Sequence, residues 1–130
     1  MKLKCIGRDK IEREFNLRVE ETDEGYPWFK ISHESVKDTF FELILKPQFD
    51  GSYMVLMINA HDVYGGYGIP DAILPFAAKH LSTELCSSPT QSEDSWRIEE
   101  ATKAWKRLVE AGKAEYNEKT DIFWIIKERL

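Results

Sequence analysis

The sequence has no long hydrophobic run and no pattern typical of a metal site. Its apolar stretches are only a few residues long, as in Met54–Ile58, whereas a membrane-spanning helix needs about 20 apolar residues. The N-terminal segment, Met1–Cys5, lacks the apolar region of a signal peptide. The cysteines and histidines show neither CxxC nor HExxH spacing. We therefore expect a cytoplasmic protein with no membrane segment and no bound metal.

Cysteine is too scarce to form a disulfide framework. Cys5 and Cys86 are the only two, and they are far apart in the sequence. We expect two free thiols, buried or half-buried, because cysteine is among the most buried residue types. A single disulfide is the alternative.

The sequence also lacks an excess of positive charge. Eighteen Lys and Arg residues against 23 Asp and Glu residues give a net charge of −5. The densest charged stretch, Glu20–Glu24, is acidic, and we expect it to be a solvated hairpin tip. Because nucleic-acid binding requires clustered Lys and Arg, no nucleic-acid partner is favoured. With 42% hydrophobic and 32% charged residues, the 130-residue chain is expected to be a single globular domain.

Four strands are predicted in the first 60 residues from alternating or continuous apolar runs separated by turn residues. They are Phe15–Glu20, Trp28–Ile31, Phe40–Leu45 and Tyr53–Ala60. The last of these is apolar on both sides of its alternation except at Asn59. This pattern predicts a strand near the centre of the sheet, covered on both faces.

Two helices and a hairpin are predicted after the glycine-rich segment. Apolar residues at three- and four-residue steps indicate a helix over residues 70–86, in which Pro75 predicts a kink or a later start. A polar loop leads to a second helix over residues 96–111, with Asp94 or Ser95 as its N-cap and Trp105 on its buried face. The hairpin strands are expected at residues 114–116 and 122–126.

Together these elements predict an α+β fold, in which helices pack on a mostly antiparallel central sheet. The chain must leave the sheet at the end of its central strand to form the glycine-rich segment. We therefore expect the sheet to splay or bulge near His61.

The glycine-rich segment Gly65–Gly68 lies between a strand and a helix. Glycines at such a junction allow successive backbone N–H groups to face one point, and the helix N-terminus adds positive partial charge there. This arrangement suits a pyrophosphate. A tight turn that requires positive φ explains the glycines equally well.

Two segments resemble the GCN5-related N-acetyltransferases (GNAT). Tyr64–Leu81 is similar to the family's acetyl-CoA motif, in which a strand leads through an R/Q-x-x-G-x-G/A loop into a helix. Glu99–Leu108 followed by Gly112 is similar to the family's last helix. The resemblance covers about residues 50–130 and implies a GNAT-like fold that transfers an acetyl group from acetyl-CoA to an amine. It implies cofactor contacts at Tyr64, Gly65, Gly66, Tyr67, Gly68 and Ile69.

The sequence departs from the family pattern at three positions. Gly65 stands where the family has Arg or Gln, and Pro70, which has no N–H, stands where it has the second Gly or Ala. Trp105 stands where the family often has a tyrosine that protonates the leaving thiolate, a step that an indole cannot perform near neutral pH. Tyr116 or Tyr67 would then have to supply the acid.

The resemblance also implies a general base near the middle strands. His61 and Asp62, at the end of the central strand, are the candidates, and Glu42 on the preceding strand is a further one. The alternative for His61 and Asp62 is a polar strand end packed against the loop.

Two other functional classes fit parts of the sequence. The first is a GNAT-like scaffold without catalysis that acts by binding another protein, as a phage-encoded accessory factor does. The second is a winged-helix nucleic-acid binder, since a helix over residues 97–111 precedes a hairpin. That helix carries nearly as many acidic as basic residues, which disfavours phosphate contacts. Small amines, peptide N-termini and protein lysines all fit the acetyl acceptor.

Overall fold

A computed structural model describes residues 1–36, 38–58, 62–88, 99–126 and 128. Over these ranges the chain forms one eight-stranded, mostly antiparallel sheet and two α-helices, which confirms the α+β class. The strands are β1 (Lys2–Ile6), β2 (Glu12–Glu21), β3 (Pro27–Ser32), β4 (Phe41–Pro47), β5 (Tyr53–Ile58), β6 (Leu85–Cys86), β7 (Ala114–Asn117) and β8 (Ile122–Ile125). The helices are α1 (Ile69–Leu81) and α2 (Glu99–Glu110), and a short 3-10 helix covers Asp62–Tyr64.

The strand order is β1-β2-β3-β4-β5-β6-β8-β7. Neighbouring strands are antiparallel except β5 and β6, which are parallel and are connected through the glycine-rich segment and α1. The strand β5 is fifth of the eight, so its expected central position is confirmed.

One hydrophobic core joins the sheet to both helices. Every second residue of the antiparallel strands points into it, as Leu3 and Cys5 do in β1. The helix α1 contributes Ile73 and Leu74, which are fully buried. Trp105 in α2 is 1% exposed and stacks on Phe123 of β8, so its predicted place on the buried face is confirmed.

The prediction that the central strand is covered on both faces is wrong. Only Val55 of β5 is buried, and Met57 is 37% exposed. The described core lies on one face of the sheet, and on the other face Met57 continues a half-buried row with Trp28 and Ile44. The apolar residues on this face of the sheet are therefore partly exposed to solvent.

The first helix is shorter than predicted. It begins at Ile69 and continues through Pro75, so a later start is wrong. It ends at Leu81 because Ser82 adopts a left-handed conformation (φ 52°), and the N–H groups of Ser82 and Thr83 bond the carbonyls of Lys79 and Ala78. Leu85, assigned to the helix from its spacing, instead lies buried in β6.

The C-terminal hairpin, the acidic tip and the free cysteines agree with the predictions from the sequence. Both hairpin strands are present, and the acidic tip between β2 and β3 is exposed at Glu20, Glu21, Asp23 and Glu24. Both cysteines are free, Cys5 buried and Cys86 half-buried. The N-cap candidates Asp94 and Ser95 lie outside the described residues. No helix in the described part of the chain has the length and apolar character needed to cross a membrane.

Candidate functional site

The parallel strand β6 pairs with β5 over two residues, which is its whole length. Tyr53 pairs with Leu85 and Met54 with Cys86. Beyond these pairs, no described strand lies beside residues 55–58 on the side away from β4. The register between β4 and β5 also shifts, leaving Leu56 as an extra residue in β5. The expected irregularity is thus present, nearer to the middle of β5 than His61, which lies outside the described residues.

The glycine-rich segment is attached to the end of β1. The backbone N–H of Arg8 donates to the carbonyl of Gly66 at 2.9 Å. At Gly68 a Cβ atom would overlap the carbonyl oxygen of Ile6 and lie 3.0 Å from its carbonyl carbon. Gly66 and Gly68 have φ values of 82° and 77°, which favour glycine. The turn explanation therefore holds for both glycines, and Gly68 also permits close packing against β1.

The N-terminus of α1 offers fewer N–H donors than a typical helix. Gly68 is its N-cap and provides no side-chain cap, and Pro70 in the first turn has no N–H. Asp71, also in the first turn, complements the positive end of the helix dipole. Its carboxylate accepts two hydrogen bonds from Arg107 of α2, at 2.7 and 2.8 Å. This bidentate ion pair joins the two helices beside the glycine-rich segment.

A cavity of about 500 Å³ opens at this junction. Its walls come from the glycine-rich segment, the β1–β2 turn, the start of β4, the end of β5, the first turn of α1, and α2 from Glu100 to Arg107. Four basic and two acidic side chains line it. They are Arg8, Lys10, Lys103 and Arg107, with Asp71 and Glu100. The cavity wall therefore carries an excess of positive charge.

Two tyrosines hold the glycine-rich segment against the sheet. The hydroxyl of Tyr64 donates to the carbonyl of Thr39, and burial raises the pKa of the Tyr64 phenol. The ring of Tyr67 packs against Phe15, and the guanidinium of Arg13 lies 5.0 Å from its centre. These contacts fix the loop from the side of β2.

The structure brings four of the six expected cofactor contacts to the cavity. Tyr64, Gly65, Gly66 and Gly68 line it. The other two, Tyr67 and Ile69, are not among the lining residues, and Ile69 is fully buried in the core.

The candidate catalytic residues are more dispersed. Tyr116 lies on the edge strand β7, where its hydroxyl donates to the carboxylate of Asp121 at 2.7 Å, and it does not line the cavity. Asp62 begins the 3-10 helix that follows β5, and its side chain lies outside the described part of the structure, as does His61. Phe41 lines the cavity. Glu42 lies on the opposite face of β4 and does not line it.

Sequence reasoning missed the basic residues of the cavity. Arg8 and Lys10 are separated from the glycine-rich segment by most of the sheet sequence, and Lys103 and Arg107 belong to a helix with balanced charge. The strand order and the packing of α2 against α1 bring these residues together.

Comparisons of the chain with protein-family models, with curated proteins and with solved structures find no significant match.

Proposed function

We propose that the chain binds acetyl-CoA and transfers its acetyl group to an amine, as an N-acetyltransferase similar to the GNAT family. The observation that carries this proposal is that β6 pairs with β5 over only two residues, so residues 55–58 have no described strand on the side away from β4, and β5 ends beside the glycine-rich segment and α1. A strand that loses its neighbour has backbone hydrogen-bonding groups available to an extended ligand. The pantetheine arm of acetyl-CoA is such a ligand.

The cavity at the glycine-rich segment fits the phosphate end of the same ligand. Its volume of about 500 Å³ is within the roughly 300–1,000 Å³ typical of small-molecule sites. Its four basic side chains exceed its two acidic ones, and the space over the Cα of Gly66 is open. A pyrophosphate placed there would face positive side chains from the β1–β2 turn and from α2.

Two features of the loop oppose this fit. Pro70 removes one N–H donor, and the Asp71 carboxylate lies in the first turn of α1. The bidentate contact from Arg107 offsets the Asp71 charge. The balance of charge around the cavity therefore still favours an anion.

Acetyl-CoA, when bound, would supply an activated acetyl thioester, and the protein would have to remove a proton from the attacking amine. We assign this role to His61 or Asp62, since both lie within four residues of the end of β5 in the sequence. Trp105 is buried and stacked, so it supports the core of α2. Tyr116 does not line the cavity, so its role as the acid that protonates the leaving thiolate stays a prediction.

The proposal predicts that wild-type protein binds acetyl-CoA. A ligand present at about 100 times its dissociation constant stabilises the fold by about 2.7 kcal/mol, which thermal unfolding detects. Calorimetric titration measures the affinity directly. If wild-type protein gives no heat with millimolar acetyl-CoA, the cofactor proposal is wrong and the non-catalytic scaffold remains.

Substitutions at Gly66 locate the phosphate. Asp and Asn both tolerate the left-handed conformation of this glycine, and space is open there. Gly66→Asp places a carboxylate in the cavity and should abolish acetyl-CoA binding, whereas Gly66→Asn should retain most of it. Gly25→Asp is the matched control, because Gly25 has φ 82° and open space at the β2–β3 tip. Equal affinities for Gly66→Asp and Gly66→Asn would place the phosphate elsewhere.

Release of the CoA thiol in the presence of a panel of amines tests catalysis. We expect release with wild-type protein and its loss in the His61→Ala, Asp62→Ala double variant, with acetyl-CoA affinity retained. Unchanged thiol release in that variant would remove both residues from the mechanism.

A further inference from the structure

The turn between β1 and β2 forms a wall of the cavity opposite α2. It is closed by two backbone hydrogen bonds, from Lys10 N–H to the carbonyl of Gly7 at 3.0 Å and from Gly7 N–H to the carbonyl of Ile11 at 3.1 Å. A third backbone bond, from Arg8 to Gly66, attaches the turn to the glycine-rich segment. The turn and that segment are therefore fixed relative to each other.

The acid of this turn does not neutralise its two cavity-lining cations. Asp9 accepts hydrogen bonds from Arg13 at 2.6 and 3.2 Å, and these lower the pKa of Asp9 to about 2. Within the described part of the chain, neither the Arg8 nor the Lys10 side chain has a hydrogen bond or an ion pair. The turn therefore presents two uncompensated positive charges to the cavity.

The other two basic residues of the cavity, Lys103 and Arg107, each have an acidic partner. Arg107 is held by Asp71 at 2.7 Å, and Lys103 lies 3.8 Å from Glu99. Arg8 and Lys10 are thus the cations that can contact an anion without first losing an acidic partner.

The backbone at Lys10 gives further support. Its φ of 66° lies in the left-handed region, which Gly and Asn adopt far more readily than Lys. Strained positions of this kind cluster at functional sites.

We infer that Arg8 and Lys10 bind the phosphate groups of the cofactor and replace the donors that Gly65 and Pro70 do not provide. This inference rests on the proposed acetyl-CoA site, but it concerns the recognition of phosphate rather than acetyl transfer. Arg8 offers a planar pair of donors and Lys10 a point charge, a combination suited to a pyrophosphate.

The test compares two double variants with the same change in net charge. Arg8→Ala, Lys10→Ala removes the proposed contacts. Lys4→Ala, Lys106→Ala is the control, because both lysines are exposed and neither lines the cavity. Calorimetric titrations at low salt use acetyl-CoA and, separately, inorganic pyrophosphate, and circular dichroism checks that each variant is folded.

We expect Arg8→Ala, Lys10→Ala to weaken the binding of both ligands about tenfold or more, as loss of hydrogen bonds to charged groups does. The control should change affinity by no more than about twofold. Arg8→Lys, Lys10→Arg keeps both charges and should recover most of the affinity.

The outcomes separate this inference from the proposed function. Equal acetyl-CoA affinity in wild type and in Arg8→Ala, Lys10→Ala would overturn the inference and leave the acetyltransferase proposal intact. Pyrophosphate binding that depends on Arg8 and Lys10, with acetyl-CoA bound no more tightly than pyrophosphate, would support the inference and oppose the acetyltransferase proposal. Wild-type protein that binds neither ligand would overturn the inference as well.

Discussion

At the scale of single residues, Gly66 and Gly68 share a backbone conformation but differ in their surroundings. Both have φ near 80°, yet a Cβ atom at Gly66 would meet no atom within 4 Å, whereas at Gly68 it would overlap the backbone of Ile6. The conformational strain of an alanine is therefore common to both positions. The steric conflict belongs to Gly68 alone.

Alanine substitutions should separate these two effects. Gly66→Ala should lower the free energy of unfolding by about 1 to 2 kcal/mol, the cost of a left-handed L-residue. Gly68→Ala should cost clearly more, because β1 or the loop must shift to relieve the overlap. Urea unfolding measures both, and equal losses would show that the contact with Ile6 relaxes freely. A substitution at Gly68 would therefore change the fold as well as any ligand site, whereas a substitution at Gly66, which meets no such overlap, tests ligand binding.

Among the described residues, Trp105 is the largest fully buried side chain, and it stacks on Phe123 at a centroid distance of 5.9 Å. Trp105→Ala should lower the free energy of unfolding by about 3 to 5 kcal/mol, because it leaves a large cavity in the core. Trp105→Tyr should cost less. Val109→Ala is the control on the same helix, since Val109 is 37% exposed. Denaturant unfolding of the three variants checks the order, and a loss of activity with unchanged stability in Trp105→Ala would contradict the structural role.

At the scale of elements, the sequence predicted the strands with several apolar residues and missed β1 and β6, which have few. β1 alternates Lys2, Leu3, Lys4 and Cys5, with only Leu3 and Cys5 buried. The alternation is visible in the sequence. However, a segment with only two apolar residues between lysines is also typical of a charged, unstructured N-terminus, so no strand was predicted. The consequence is large, because the turn after β1 carries Arg8 and Lys10.

The boundary between α1 and β6 could not be read from hydrophobic spacing. Leu81 and Leu85 are four residues apart, as in a helix, yet the left-handed Ser82 ends the helix between them. Hydrophobic spacing indicates which residues are buried but not by which element. Leu85 is buried in the sheet, where it pairs with Tyr53, and not on the helix. The two-residue length of β6 leaves no alternation to detect.

The candidate site was predictable only where its residues are contiguous. The glycine-rich segment follows from its composition, and Tyr64, Gly65, Gly66 and Gly68 indeed line the cavity. The basic residues opposite it come from a distant turn and from α2. Their meeting depends on the strand order and on how α1 and α2 pack, which no local pattern encodes.

At the scale of the whole molecule, the sheet consists of two parts. Strands β1 to β5 form long antiparallel ladders, and β6, β8 and β7 form a smaller group. Where the structure describes the chain, two residue pairs join the parts, assisted by hydrogen bonds from Tyr53 N–H to Glu84 and from the Thr83 hydroxyl to Gly51. The core contributed by α1 and α2 is continuous across both parts. The sheet is therefore weakest in backbone pairing where the proposed ligand would lie.

Amide hydrogen exchange should detect this weak region and its response to acetyl-CoA. Without ligand, the amides of residues 55–58 that face away from β4 should exchange faster than those of β3, because they have no strand partner among the described residues. Acetyl-CoA should slow exchange at residues 55–58 and 65–68 by about tenfold or more, since bound ligand supplies hydrogen-bond partners and excludes solvent. Residues 22–25, at the β2–β3 tip, are the internal control and should not change. Equal slowing at every position would indicate global stabilisation without a localised ligand. Slowing confined to residues outside both segments would place acetyl-CoA at another site. It would contradict the ligand-binding role assigned to residues 55–58.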